Sequence, residues 1–358
     1  METAELIETW LDRGLRAVVV GAVAASTLLW HDGAQAQPKE EPVLNLYSAR
    51  HYQTDEALYD NFTKQTGIKI NRIELGDEQL LQRVRSEGAN SPADVILLVD
   101  AARMWRAQID GLFRPIQSKV LESRIPTNLR SNDGTWFGFS TRARVIVYNE
   151  AKVKPEDVAT YELLADPRNK GLVCTRSGSH PYMLSLIGAM VERSGEAATE
   201  AWARGMVANM ARPPRGGDTD QIRAVASGEC GVALTNTYYW VRLLRSTDPK
   251  DKEVVAKVGF IWPNQATSGT HVNVSGGGVA RYAPHPANAQ KFLEYLVSPE
   301  AQRYFADGNN EWPVVKGAEV DNKALASLGS FKAENVPISS IGKGQVAAQR
   351  ILDKAGYR

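Results

Sequence analysis

The run Val95-Ile96-Leu97-Leu98-Val99 carries no polar side chain over five residues, so as an extended strand it has to be covered on both faces. What precedes it shows how. Val43-Leu44-Asn45-Leu46-Tyr47 alternates as a strand does, and Thr54 opens a helix with Asp55 and Glu56 in its first turn, Leu58 and Phe62 on one face and Gly67 at its end. Residues 69–74 read as a second strand and residues 78–87 as a second helix, leading into the apolar run at 93–99. Strands that alternate with helices in this way, the last of them apolar on both faces, belong to an α/β fold with a doubly wound sheet.

The alternation resumes downstream, with strands at 144–148, 172–175 and 232–236 and helices over 181–193, over 199–210 and from Tyr238. A chain of 358 residues exceeds the size at which one hydrophobic core usually stops growing, so a second α/β lobe is expected. Gly134-Thr135-Trp136-Phe137-Gly138-Phe139-Ser140 and residues 258–262 read as extended segments crossing between the lobes. Two crossings make each lobe discontinuous: 43–138 plus 264–315 for the first, 139–263 plus 316–358 for the second, an arrangement suited to a hinge. Ser275-Gly276-Gly277-Gly278, in a strand expected over 271–282, lacks the lysine and spacing of a phosphate loop and reads as a bulge or a close backbone approach.

At the N-terminus, Arg13 and Arg16 precede an uncharged apolar run over residues 17–30 and then Ala34-Gln35-Ala36. This is the pattern of an export signal, residues 1–36, cleaved after Ala36, with an uncleaved anchor as the alternative; residues 37–42 follow as a polar linker. Without residues 1–36, which hold two basic and five acidic residues, the formal charge moves from +1 to +4. So mild an excess points to neither nucleic acid nor a membrane surface as partner. Cys174 and Cys230 are the two cysteines; in an exported chain they suit one disulfide, against the alternative of two buried thiols.

Chemistry concentrates where strands end and helices begin, the place at which open α/β sheets bind ligands. Three such loops are Ser48-Ala49-Arg50-His51-Tyr52, Arg176-Ser177-Gly178-Ser179-His180-Pro181-Tyr182 and Thr235-Asn236-Thr237-Tyr238-Tyr239. Each carries tyrosine. One tyrosine pair is weak evidence, since 12 tyrosines in the chain give roughly 0.4 adjacent pairs by chance. Tyr238 and Tyr239, however, fall in a first helical turn behind a capping Asn236 or Thr237, where both rings can face the crevice. A phenol titrates near pH 10, so a cluster of phenolates at neutral pH needs a hard, highly charged cation beside it, and ferric iron supplies one. Ser177, Gly178 and Ser179 form either an anion site that seats carbonate or a similar small anion, or simply the cap of the next helix with Pro181 at its first position. Arg142, Arg144 and Arg242 either flank the cleft and balance phenolate charge or are solvated surface arginines. No nucleophile–base pair, H-E-x-x-H or G-x-S-x-G is present, so an enzyme is not indicated.

With these residues in view, the chain resembles the tyrosine-rich ferric-binding proteins of bacterial iron ABC importers, in particular the branch of cyanobacterial iron-uptake binding proteins. The likeness runs from about Val43 to the C-terminus. Besides the three loops it rests on Ser91-Pro92-Ala93-Asp94-Val95, Thr141-Arg142-Ala143-Arg144-Val145-Ile146-Val147-Tyr148-Asn149 and Asn309-Asn310-Glu311-Trp312-Pro313. The resemblance implies a class II periplasmic-binding-protein fold, two doubly wound α/β lobes joined by two crossing hinge segments. It implies that the cleft holds Fe(III) through His51, Tyr52, Tyr182, Tyr238 and Tyr239, with Arg142, Arg144 or Arg242 beside them and no obligatory carbonate. It also implies a monomer in the periplasm that hands iron to an ABC transporter permease. A binding protein for an organic cation or another small solute is the alternative on the same fold.

Overall fold

A computed structural model describes residues 41–50 and 52–358; the expected export signal, most of the linker and His51 lie outside the described residues. Among the described residues, nine strands form one sheet: β1 (Val43–Ser48), β2 (Lys69–Glu74), β3 (Val95–Leu98), β4 (Phe137–Asn149), β5 (Val173–Cys174), β6 (Val232–Asn236), β7 (Val258–Ile261), β8 (Val272–Val279) and β9 (Trp312–Pro313), in the order β2-β1-β3-β8-β4-β6-β5, with β7 and β9 also on β4. β1 lies parallel to both β2 and β3, whereas β8 runs antiparallel to β3 and β4.

β4 joins the two halves. Its residues 137–143 pair with β8, residues 144–148 pair with β6, and residues 146–149 pair with β7. The first half packs on a core that includes Leu44, Leu46, Ile96, Phe137, Phe292 and Phe305. In the second half Ile146 and Val147, adjacent on β4, face different cores, one holding Met183, Leu186 and Leu234, the other Ile222, Ala233 and Trp240. Neighbouring strand residues point to opposite faces, so helices cover this half on both sides. The architecture is the two-lobed α/β one.

Several elements depart from expectation. The segments expected at 134–140 and 144–148 merge into the single strand β4, because the two arginines that interrupt its apolar pattern are buried by partners distant in sequence. Residues 258–261 are the strand β7 inside the second half, so the chain crosses back over 262–271 instead. There the Arg144 amide donates to the His271 carbonyl (2.9 Å), and the Tyr161 hydroxyl donates to the Arg144 carbonyl (2.5 Å) while accepting from the His271 amide (3.0 Å). The C-terminal segment serves both halves: Ile338 and Ile341 join the first core, Ala348, Ile351 and Leu352 the second.

The glycines of β8 are a close approach. A Cβ on Gly277 would stand 2.1 Å from the Ile96 carbonyl oxygen, and one on Gly278 would stand 2.1 Å from that of Thr135. Cys174 and Cys230 form a disulfide with Cα atoms 5.8 Å apart.

Candidate metal centre

Three strand ends and the loops after them bring the phenols together. β6 ends at Asn236, and the helix Thr237–Arg245 carries Tyr238 and Tyr239 in its first turn. Their rings lie side by side, centroids 4.2 Å apart. The helix Pro181–Ser194 holds Tyr182 at its second position, and the Tyr182 and Tyr238 hydroxyl oxygens are 2.9 Å apart. From the first half, the loop after β1 delivers Tyr52, whose ring meets that of Tyr238 edge-on at 6.1 Å. Four of the five residues expected to bind metal therefore converge from three separate stretches of chain. The fifth, His51, is outside the described residues.

Electrostatics make the cluster costly without a cation. The Tyr182 and Tyr238 hydroxyls are held well above the usual phenol range, first by burial and then by neighbouring phenols: Tyr239 and Tyr52 act on both, and Tyr182 also raises Tyr238. Tyr52 is raised too, by burial first and by the Glu311 carboxylate second. Arg142 pulls all three the other way. Both helices also direct their N-termini, the positive ends of their dipoles, toward this cluster.

The flanking residues differ in what they do. Arg142 is almost fully buried, donates from Nη2 to Ser275 Oγ (2.7 Å) and lies 6.0 Å from the Tyr238 ring centre, with its Nε and Nη1 unpaired. Arg144, two residues along β4, is engaged elsewhere. Its Nη1 donates to Asp218 Oδ2 (2.6 Å) and Asn236 Oδ1 (3.2 Å), so it braces the residue that opens the tyrosine helix. Asn236 consequently gives that helix no side-chain cap, and the Thr237 hydroxyl accepts from the Ala143 amide. Arg242 is exposed and lies 5.4 Å over the Tyr239 ring.

The loop over 177–179, read as either an anion site or a helix cap, directs its N–H groups back into the protein. The Gly178 amide donates to the Arg358 carbonyl, Ser179 to Ser177 Oγ and His180 to the Ser177 carbonyl, so these N–H groups are already satisfied. Capping falls to His180, whose Nδ1 accepts from the Tyr182 amide (3.2 Å). Burial and the neighbouring Arg176 push its imidazole down to about 3, which keeps it neutral and able to accept.

Sequence reasoning assigned no role to four groups around this cluster. Asp218 bridges Arg144 and Arg176 and accepts from the Asn236 amide. Arg176 lies 5.1 Å over the Tyr182 ring. Arg50 forms a two-pronged pair with Asp55 and lies 4.9 Å over Tyr52. Glu311 is wholly buried between Arg50 and Arg142. Arg50 and Glu311 stood inside quoted motifs, but no local pattern marks a partner so far along the chain. Among the described residues, no three of His, Cys, Asp and Glu gather as a metal site.

Residues 57–333 match the family model described as bacterial extracellular solute-binding protein. "Iron uptake protein A1" of Synechocystis sp. is 52% identical over 321 residues, spanning 90% of this chain and 89% of that protein. A Trichodesmium protein solved in complex with iron and citrate ligands superposes with a TM-score of 0.84 at 52% identity, over 88% of this chain and all of that one. The ferric binding protein of Campylobacter jejuni superposes equally well at 38% identity, again over 88% and 100% of the two chains. Fold, matched span and these relatives agree: the chain belongs to the bacterial extracellular solute-binding protein family, whose members bind and carry solutes rather than transform them.

Proposed function

We propose that this chain captures Fe(III) between its two lobes through the phenolates of Tyr52, Tyr182, Tyr238 and Tyr239, with His51 as a further ligand, and delivers it to an ABC transporter permease. One observation carries the reading: four phenols from three stretches of chain, two of them with hydroxyls 2.9 Å apart, meet in a buried site. Relatives named for iron uptake and solved with iron support it. Iron is the cargo here. As it enters, each phenol gives up a proton, the trivalent charge replaces the protons as the partner of the oxygens, and Arg142 offsets part of the negative charge left over. With the amides of Gly178, Ser179 and His180 already satisfied, carbonate or another small anion is not required at that loop.

In this reading the chain is exported by residues 1–36 to the periplasm and works there as a monomer. No helix among the described residues is long and apolar enough to cross a membrane. The lobes divide as 43–138 plus 264–315 and 139–263 plus 316–358, the last helices bracing both. The relatives do not favour an organic solute in the cleft.

The test is optical. Adding ferric citrate to purified protein should produce a visible phenolate-to-iron charge-transfer band. The Tyr238→Phe, Tyr239→Phe double variant, folded by circular dichroism, should lose it. A wild-type protein that stays colourless and gains no thermal stability with iron would end the proposal.

A further inference from the structure

Glu311 lies between the helix Pro299–Asp307 and β9, and β9 hydrogen-bonds to β4 at Ser140 and Thr141. That pairing brings a carboxylate to the back of the phenol cluster. Its Oε2 accepts from Ser140 Oγ (2.6 Å) and lies 3.5 Å from Arg50 Nη1, while its Oε1 lies 3.3 Å from Arg142 Nη2. Arg50 already has a carboxylate of its own in Asp55, held through two hydrogen bonds. Glu311 therefore acts mainly on Arg142, whose ion-pair partner it is among the described residues. Without that charge, Arg142 would present an uncompensated positive group behind Tyr238, while Arg50, over Tyr52, would keep Asp55.

Metal binding by four phenols exchanges four protons for one cation. The site's charge changes by −1 for a trivalent ion and by −2 for a divalent one. Positive charge behind the phenols favours the more negative complex, so it helps the divalent ion more; a buried carboxylate there does the reverse. We infer that Glu311 is a specificity-determining residue, one that holds Arg142 and trims the positive charge behind the phenols so that the site prefers a trivalent over a divalent cation. This rests on the phenolate reading of the site.

The experiment loads wild-type and Glu311→Gln protein with iron from ferric citrate and follows the phenolate band during stepwise reduction under argon. The amide side chain of that variant would keep the shape and accept from Ser140 but lack the charge. The ferric-to-ferrous preference of E311Q is expected to fall roughly tenfold or more, a rise in reduction potential of about 59 mV for the one-electron couple. Glu311→Asp, which keeps the charge, should stay at the wild-type value. Equal potentials for wild type and E311Q, or an E311D shift as large as that of E311Q, would overturn the inference while leaving the iron site standing. Absence of the band in wild type would sink the phenolate reading itself. Should E311Q not be recovered folded, Arg142→Gln reads the same charge with opposite sign: its potential must fall, and an unchanged or higher value overturns the inference.

Discussion

The Tyr182 and Tyr238 hydroxyls lie closer to each other than two phenolates tolerate, and burial deprives both of the water that would screen them. Burial first, and the phenols Tyr52 and Tyr239 beside them, raise their proton affinity, so metal binding competes with protons and each coordinating phenol releases one. With four phenols, the logarithm of iron affinity should fall by up to about four per unit decrease in pH, and Tyr182→Phe should lower that slope by about one. Competition with a chelator at fixed free ferric ion, between pH 8 and 5, measures it; a pH-independent affinity contradicts the ligand set. The metal-free protein shows the same shift in its stability. Groups held above their unfolded value near 10 contribute stability that is complete below that pH and is lost as pH rises through the folded values. Its melting temperature should therefore drop above pH 10.

At the scale of elements, two short strands are fastened where the site needs them. Cys174 ends β5, just before the loop that carries Tyr182, and Cys230 precedes β6, which ends at the paired tyrosines. The bridge closes a loop of 56 residues in sequence separation, for which the chain-entropy argument gives about 4 kcal/mol at most. Cys174→Ser, Cys230→Ser should accordingly melt well below wild type in denaturant titrations and, once folded, still develop the iron band. Loss of the band with stability unchanged would mean that the bridge shapes the site rather than the fold. β8 shows the same economy of backbone: its glycines let β3 and β4 approach from either side, where any side chain would meet a carbonyl oxygen.

For the molecule as a whole, β4 and the segment 262–271 connect halves that also touch through side chains. Ser185, on the helix that carries Tyr182, donates to Asp100 Oδ1 (2.8 Å), at the end of β3 in the other half. Asp100 keeps Asn273 Nδ2 and the Ala102 amide as donors in any case. Ser185→Ala should thus loosen the closed arrangement by about 1–2 kcal/mol without leaving Asp100 unpaired. Iron loss to a chelator should speed up roughly tenfold with the visible band unchanged. An unaltered release rate would show that this contact does not contribute to holding the lobes shut.

Local order was legible because burial and turns leave periodic traces in neighbouring residues. Alternation at 43–47, the apolar run at 95–99 and the helix starts at Thr54 and Pro181 all reflect contacts within a few positions. The tyrosine loops could be picked out because strand ends recur at one edge of such a sheet. Which charges pair could not be read. Asp218 meets Arg144 across 74 residues and Glu311 meets Ser140 across 171, and a carboxylate carries no local mark of the guanidinium it will face. For the same reason nothing nearby in the sequence marks β4 as one strand, since the partners that bury Arg142 and Arg144 within it lie far along the chain. By itself the sequence determined the α/β order and the phenol-bearing loops, since those follow from near neighbours. Only the tertiary structure decided how the charges around the phenols are balanced, since electrostatics depends on distance in space rather than along the chain.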